Sequence, residues 1–314
     1  MWPLRLPTGP ATFVVVTAPL DHPRSDVTTA TDDEVSTGWI GGLPMYDWVE
    51  VASDVDVLWQ RIADEARAHG LRLPATTTRT EHLVSLWRDP SMILGQVCSL
   101  NPVRDGLGET EVLGTIVYDP PPGLPRHEPG SYSSVIVCRR DDARCAPIGD
   151  GIASQAVRAF AGATVAANGM DSQSGYWSLG HFVRDVVARE PLFGSVRFTG
   201  AHRDSIVAVA DGRADIAAID VHSWRLALEH EPSSAALDVI GTTSPTPGVV
   251  CVVAWELAHH RAALNAAIAG AVDSLLGTPT AARLHIAGYR ERRLEEFQIV
   301  ADLVDAAAHR PWHR

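Results

Sequence analysis

The sequence predicts an α/β protein made of two lobes. Between residues 164 and 219, short apolar runs alternate with amphipathic segments, which is the pattern of a strand–helix–strand–helix–strand unit. Such a unit forms a parallel sheet with right-handed crossovers. A second set of strand and helix patterns covers residues 39–118, and two apolar segments, 132–138 and 239–243, connect the two sets. The chain is therefore predicted to cross twice between two lobes.

Length and charge limit the classes of function. The chain has 314 residues, enough for a sizeable core in one or two domains, and a formal net charge of −12. This acidic balance argues against nucleic acid or an anionic lipid surface as a partner. The apolar runs are all shorter than a membrane span. The cysteines form no CxxC pair, which indicates reduced thiols rather than a metal site or a disulfide framework.

The predicted elements of the first lobe are, in order, a strand at 39–43, helices at 49–69 and 79–87, and strands at 92–95 and 111–118. The long helix has its apolar residues at helical spacing, and Gly70 ends it. The strand at 92–95 ends in a turn that begins with Gln96. We expect this turn to face the cleft between the lobes, because ligands bind at strand ends in such sheets.

A turn rich in serine and glycine, residues 168–176, stands between the strand at 164–167 and the helix that follows it. Asp171 or Ser172 can cap that helix. The free N–H groups of the first helical turn and the positive end of the helix dipole also make an anion site, to which two serine hydroxyls add donors. The turn alone leaves both interpretations open, a helix cap and an anion site.

Polar side chains also follow the next two strands of this unit. His202 lies in the turn after the second strand, and Asp220 ends the third strand. Because the carboxyl ends of parallel strands meet at one edge of the sheet, we expect both side chains to lie near the serines of the turn. This convergence favours an anion site over a set of helix caps.

The chain then returns to the first lobe. A strand at 249–254 rejoins the first sheet, and helices at 257–276 and 290–308 complete that lobe. The predicted domains are an N-terminal extension (1–35), lobe 1 (36–133 and 244–314) and lobe 2 (134–243). Two connections between two lobes form a hinge, and such proteins close around their ligand.

The N-terminal extension indicates the cellular location through the presence or absence of a signal-peptide pattern. Its apolar run at 13–16 is preceded by Arg5 as the only basic residue, and no clear small-residue cleavage site follows. Because this is not the pattern of a signal peptide, we expect a cytoplasmic protein. The alternative is an exported protein whose true start lies upstream.

Several segments between residues 39 and 254 carry a resemblance to a known family. They are 43–47, 133–137, 167–176, 199–202 and 208–220. The Ser-Gln-Ser-Gly turn, paired with the downstream His202, is similar to that of the PhnD-like phosphate- and phosphonate-binding family of ABC-transporter substrate-binding proteins. The resemblance implies an α/β, two-lobed type 2 periplasmic-binding-protein fold. Each lobe would be a mainly parallel sheet flanked by helices, and two crossover strands would join the lobes.

The resemblance also implies roles for side chains. The serines of the turn and His202 would hold a phosphonate or phosphate group. Asp220 would meet a cationic part of the ligand, with a strand-end cap as the alternative. Tyr46 resembles the aromatic residue at the ligand's other end, with interface packing as the alternative. The predicted ligand-binding residues are Tyr46, Gln96, Ser172, Gln173, Ser174, His202 and Asp220.

The sequence supports no catalytic residue, metal or cofactor. There is no Gly-x-Ser-x-Gly elbow around the serine turn, and dinucleotide-binding and Walker motifs are absent. A ferric site near His202 and Asp220 would lack a tyrosine pair. Three functions remain: a solute-binding protein for a small anionic or zwitterionic molecule, with an ABC permease as partner if exported; a cytosolic relative that acts as a sensor or carrier; or an enzyme on the same fold, of the thiamine-pyrimidine or menaquinone-pathway type. We favour binding without turnover.

Overall fold

The computed structural model describes residues 38–104, 110–146, 153–186, 191–309 and 311–314. The predicted extension, 1–35, lies outside the described residues. The strands are β1 (Ile40–Gly42), β2 (Met92–Val97), β3 (Thr110–Tyr118), β4 (Ser131–Tyr132), β5 (Ser134–Arg139), β6 (Thr164–Ala167), β7 (Ser195–Phe198), β8 (Ile216–Asp220), β9 (Leu237–Thr242), β10 (Thr246–Pro247), β11 (Val250–Ala254) and β12 (Ile286–Glu291).

The α-helices lie between several of these strands. They are α1 (Ala52–Ala68), α2 (Leu83–Trp87), α3 (Ala153–Arg158), α4 (Ser178–Val186), α5 (His202–Ala210), α6 (Val221–His230), α7 (Arg261–Leu275), α8 (Pro279–Leu284) and α9 (Gln298–Ala308). Within the described part of the chain, every helix is too short or too polar to cross a bilayer.

Two larger sheets organise the described residues. The first has the strand order β1-β2-β11-β3-β12, and the second has the order β7-β6-β8-β5-β9. Strands β6, β7 and β8 are parallel, as the strand–helix–strand pattern predicted. The expectation of mainly parallel sheets is too simple, however. Strand β5 runs antiparallel to β8 and β9, and β11 runs antiparallel to β2 and β3. Both sheets are therefore mixed, because the strands that cross between them enter in the opposite direction.

A short ribbon connects the sheets. The first crossing runs through β4 into β5, and the second leaves β9 and returns through β10 into β11. Strands β4 and β10 pair antiparallel, with Tyr132 opposite Thr246. A two-stranded ribbon of this length can bend without breaking either sheet, which is the geometry of a hinge.

Amphipathic helices cover the first sheet. Helix α1 buries one face, on which Trp59 and Ile62 are fully enclosed, and α7 packs beside it with Leu264 and Ile268. Burying a side chain of this size contributes about 1.5–3 kcal/mol of hydrophobic free energy. Helix α6 joins both cores, because Leu226 packs with the first sheet and Trp224 with the second.

The C-terminal part of the chain differs from the prediction. Residues 286–291 form β12, which pairs antiparallel with β3, so the predicted helix at 290–308 begins too early. Helix α9 packs against the second sheet through Val300 and Val304, and Trp312 joins the same core. The predicted boundaries placed residues 298–314 in lobe 1, whereas these side chains pack with lobe 2. The other boundaries stay predictions.

Candidate functional site

The serine turn folds as an unusually wide helix start. After β6, Ser172 accepts a hydrogen bond from the Gly175 N–H at 2.9 Å, and a π-helical turn, Gln173–Trp177, leads into α4. The predicted cap is therefore formed by Ser172. A side chain at Gly175 would put a Cβ 2.7 Å from Oδ1 of Asn168, so any larger residue there would have to displace the Asn168 side chain. Capping by Ser172 uses its acceptor lone pair and leaves its hydroxyl proton free to donate.

Ser174 and His202 meet at the carboxyl edge of the second sheet. Ser174 Oγ lies 2.9 Å from His202 Nε2, and the same nitrogen lies 3.3 Å from Oδ2 of Asp220. All three side chains are buried. Burial lowers the pKa of His202, and the Asp220 carboxylate opposes that shift only in part. The imidazole is therefore mainly neutral near pH 7.

This trio does not form a charge-relay triad. In such a triad the serine and the carboxylate contact different nitrogens of the imidazole, so that one nitrogen accepts the serine proton while the other is oriented. Here Ser174 and Asp220 both approach Nε2 of His202. The geometry therefore provides polar binding groups and lacks the carboxylate on Nδ1 of the histidine that such a triad uses for orientation.

Asp220 acts as a helix cap. Its Oδ1 accepts hydrogen bonds from the N–H groups of His222 and Ser223, each at 3.0 Å, at the start of α6. The Tyr46 hydroxyl donates to the same oxygen at 3.1 Å. The sequence left open whether Asp220 caps a helix or meets the ligand. The structure shows the cap, and Oδ2 is the oxygen directed toward His202.

A cavity of about 500 Å³ lies against the serine turn. We call it the cleft cavity, because its lining comes from both sheets' elements and includes Trp48, Asn168, Ser172, Ser174, His202, Arg203 and Asp220. Helix α5 begins at this lining and has no side-chain cap at its N-terminus. Uncapped N–H groups and the positive end of the helix dipole favour an anion at that position.

Tyr46 links the two sheets across the cleft. Its position just after β1 belongs to the first sheet, whereas its hydrogen-bond partner Asp220 ends β8 of the second. Burial, followed by the charge of Asp220, raises the pKa of the Tyr46 phenol well above its usual value, so the hydroxyl stays a donor. Its ring contacts those of Tyr118 and His222 edge-on, at 5.1 and 4.3 Å between centroids.

The two predicted glutamines are used elsewhere. Gln173 accepts from the Tyr132 hydroxyl at 2.9 Å and donates to Thr246 Oγ1 at 3.1 Å, so it joins the serine turn to the hinge ribbon. Gln96 lies inside β2 with its amide 3.5 Å from the Tyr118 hydroxyl. Among the described residues that line the cleft cavity, neither glutamine is present.

Sequence reasoning missed several residues of the cavity wall. Arg203 donates to both carboxylate oxygens of Glu50, at 3.0 and 3.1 Å, and to Glu231 at 2.8 Å, and its guanidinium lies 4.8 Å from the centre of the Trp48 ring. The only signal in the sequence was proximity to predicted site residues, because Arg203 directly follows His202 and Trp48 lies two positions after Tyr46. The pairing of Arg203 with Glu50 depends on how the two lobes meet.

Metal binding has no support in the described residues, which contain no group of three or more His, Cys, Asp or Glu side chains arranged to hold an ion. Cys98 lines the cleft cavity, and burial raises the pKa of its thiol. A thiol in this state is a poor nucleophile and a poor metal ligand.

Comparisons with solved structures show the fold. PhnD1 from Prochlorococcus marinus in complex with methylphosphonate matches with a TM-score of 0.66 and 11% identity, over 86% of this chain and 98% of that one. A binding protein component of an ABC phosphonate transporter from Pseudomonas aeruginosa matches with a TM-score of 0.60 and 14% identity, over 86% of each chain. A Xanthomonas citri protein bound to ATP matches with a TM-score of 0.58 and 14% identity, over 87% of this chain and 98% of that one. The predicted two-lobed periplasmic-binding-protein fold is confirmed.

A match to a protein-family model shows the family of this chain. A comparison with curated proteins finds no match. The family model described as "ABC transporter, phosphonate, periplasmic substrate-binding protein" matches residues 111–297, which is more than half of the chain. The family comprises binding proteins rather than enzymes, so the enzyme alternative loses its support, and its periplasmic location does not support the expected cytoplasmic one. The chain belongs to the phosphonate-binding family of periplasmic substrate-binding proteins of ABC transporters.

Proposed function

We propose that the protein binds a small phosphonate- or phosphate-bearing anion in the cleft cavity and presents it to an ABC permease. One observation carries this proposal. The hydroxyl of Ser174, the imidazole of His202 and the uncapped N-terminus of α5 converge on the same cavity. Each supplies hydrogen-bond donors or positive potential, and none of them needs a catalytic partner.

The binding mechanism follows from the available donors. Ser172 and Ser174 donate their hydroxyl protons to the oxygens of the head group, and the first N–H groups of α5 complete the site. His202 is neutral and donates through Nε2, which exchanges its contact with Ser174 for one with the ligand. Arg203 contributes little charge, because Glu50 and Glu231 already neutralise it. The affinity therefore comes mainly from hydrogen bonds.

A zwitterionic ligand suits the cavity better than a bare anion. Glu81 and Asp171 line the cavity together with Asp220, whereas Arg203 is the one arginine in the described lining and is already paired with Glu50 and Glu231. Oδ2 of Asp220 is the carboxylate oxygen still able to receive an ammonium group. Tyr46 would hold this carboxylate in place through Oδ1.

Two structural neighbours support the choice of head group. The Prochlorococcus protein was solved with methylphosphonate, and the Xanthomonas protein with ATP, so both carry a phosphorus-centred oxyanion. Their identity to this chain is low, and they support the class of ligand rather than one compound.

We also propose export from the cytoplasm, in line with the family's location. Recovery of the full-length protein only in the cytosolic fraction of its host would contradict export.

Ser174→Ala tests the anion site. A hydrogen bond to a charged partner contributes about 1.5–3 kcal/mol, so methylphosphonate or phosphate should bind about tenfold to a hundredfold more weakly. Isothermal titration calorimetry measures this change. Ser178→Ala is the matched control, because the Ser178 hydroxyl donates to the Ser174 carbonyl and lies outside the cavity lining. Equal affinities of the wild type and Ser174→Ala for every phosphonate or phosphate that binds would contradict the assignment of Ser174 to the anion site.

A further inference from the structure

A second cavity, of about 390 Å³, is lined in part by Tyr46, which is not among the described residues that line the cleft cavity. We call it the aromatic cavity. Its walls are the end of β3, the segment 125–132 that ends in β4, the start of α6 and residues 287–289 of β12. Tyr132 and Val249 line both cavities, so the two cavities adjoin there. The serine turn lines only the cleft cavity, so an anion held there does not occupy this space.

Stacked rings form one wall of the aromatic cavity. The Tyr118 and His222 rings stack with centroids 4.0 Å apart and an interplanar angle of 26°. The Tyr46 ring meets both of them edge-on. Offset-stacked and edge-on rings present flat, polarisable surfaces, against which another planar ring packs well.

The lining carries little uncompensated charge. Asp119 forms an ion pair with Arg126, and Glu128 forms one with Arg290. Burial lowers the pKa of His222 to about 3, so its ring is neutral near pH 7. In the described lining, the one arginine, Arg126, is already paired with Asp119, so an anion meets less available positive charge there than at the donors of the cleft cavity. An uncharged ligand fits these walls better.

Two buried polar atoms of the lining lack a hydrogen bond. Thr115 and His222 are each only 3% exposed, and both line the aromatic cavity. Thr115 Oγ1 and His222 Nδ1 have no hydrogen-bond partner among the described residues. A buried polar atom without a partner is destabilising, and such atoms are uncommon in folded proteins. Both atoms are closed off from the cavity space itself, so a hydroxyl or amide group of a ligand would satisfy them once the Thr115 or His222 side chain rotates toward it.

We propose that the aromatic cavity is a binding site for an uncharged planar aromatic group that carries a hydrogen-bonding substituent. The group has two possible sources. It is either a free molecule, which binds independently of the anion, or the aromatic tail of a phosphonate whose head lies in the cleft cavity. The second source rests on the proposed function, whereas the first does not.

Matched probes separate the two sources. The free probe is 4-methylphenol, and the tethered probe is 4-hydroxybenzylphosphonate, which carries the same aromatic group. Methylphosphonate is the head group alone. Binding of the free probe is followed by saturation-transfer NMR with and without methylphosphonate, because a probe with so few atoms binds weakly. Calorimetry compares the two phosphonates.

Thr115→Val and Tyr118→Leu locate the site. Thr115→Val removes an unpaired hydroxyl while keeping the shape, so the melting temperature should stay equal or rise. We expect Thr115→Val to lower the affinity for whichever aromatic probe binds by about three- to tenfold. The affinity for methylphosphonate should stay unchanged. Tyr118→Leu removes the stacking surface and should weaken the same probe. Ser174→Ala should leave the free probe unaffected.

The outcomes are distinct. A free molecule is indicated if 4-methylphenol binds alongside methylphosphonate and weakens in both variants. A tail is indicated if only 4-hydroxybenzylphosphonate gains affinity over methylphosphonate and loses that gain in Tyr118→Leu. The proposal is overturned if 4-methylphenol does not bind and 4-hydroxybenzylphosphonate binds no more tightly than methylphosphonate. It is also overturned if the probe that binds has the same affinity for the wild type and for both variants. Failure of methylphosphonate to bind would contradict the proposed function and leave the free-probe result decisive here.

Discussion

At the scale of single residues, two buried histidines make the stability of the folded protein depend on pH. Burial lowers the pKa of His202, and it lowers that of His222 to about 3. The unfolded chain takes up these protons near pH 6.5, whereas the folded protein does not. The stability due to each neutral histidine is therefore fully present above pH 6.5. It is lost as the pH falls toward the folded-state pKa.

His222→Phe should make the protein less sensitive to acid. Phenylalanine keeps the ring contacts with Tyr46 and Tyr118 and removes the proton-binding group. Between pH 6 and pH 4, the free energy of unfolding of the wild type should fall faster than that of the variant, by about 1.4 kcal/mol per pH unit. Urea unfolding across this pH range measures the difference. Parallel pH curves for the two proteins would mean that His222 is protonated in the folded state.

Asp220→Asn tests whether the carboxylate selects a zwitterion. Asparagine is also a good N-cap, so the start of α6 should be kept while the charge is lost. An aminoalkyl phosphonate should lose much more affinity than the matching alkyl phosphonate, because only the first has an ammonium group to pair. Calorimetry with both ligands and both proteins gives the comparison. Equal losses would mean that Asp220 only caps the helix and holds Tyr46.

Elements with strong local patterns were predictable, and elements fixed by contacts were not. The strand 164–167 and the helix start at Ser172 agree with the structure, since apolar runs and capping residues act over a few positions. Strand β12 escaped prediction because its residues 286–291 are mostly partly exposed and owe their conformation to pairing with β3. Helix α9 was recognised as a helix, but its amphipathic face does not say which sheet it covers.

Gly180→Ala and Gly270→Ala form a matched pair that tests packing against helix propensity. Both glycines lie in helices, where alanine is favoured by about 1 kcal/mol. A Cβ at Gly180 would approach Cδ1 of Trp312 to 2.7 Å, whereas one at Gly270 would meet the mobile carboxylate of Glu65 at 3.1 Å. Overpacking costs about 1–3 kcal/mol, so Gly180→Ala should destabilise the protein.

The control is Gly270→Ala, which should be neutral or stabilise the protein by up to about 1 kcal/mol. Urea unfolding of the two variants and the wild type gives the free energies. If Gly180→Ala were as stable as Gly270→Ala, the C-terminal segment with Trp312 would not be packed against α4 as the structure has it.

At the scale of the whole molecule, two polar contacts bridge the sheets at the cleft, in addition to the packing of Leu226 of α6 in the core of the first sheet. Tyr46 donates to Asp220, and Arg203 on α5 pairs with Glu50 next to α1. The Glu50 pair is partly exposed, and exposed ion pairs contribute only about 0–1 kcal/mol each. The ion pair between Arg203 and Glu50 therefore adds little to the free energy that holds the lobes together.

Ligand binding should therefore change the shape of the molecule. In the absence of ligand, the ribbon of β4 and β10 should let the lobes open, and a saturating phosphonate should close them. Small-angle X-ray scattering should show a smaller radius of gyration with ligand. Native mass spectrometry first checks that the protein carries no ligand from expression. An unchanged radius of gyration in protein verified to be ligand-free would contradict hinge closure.

The sequence by itself determined the α/β alternation, the two crossings between lobes, the serine turn and the cluster of Ser174, His202 and Asp220. These follow from local periodicity and from the rule that parallel strand ends share one edge. Only the tertiary structure decided which polar groups remain available. Asp220 is occupied by a helix start and Tyr46, and Gln173 by the hinge. Such partners lie far apart in the chain, and no local pattern encodes a hydrogen bond that depends on how two lobes meet.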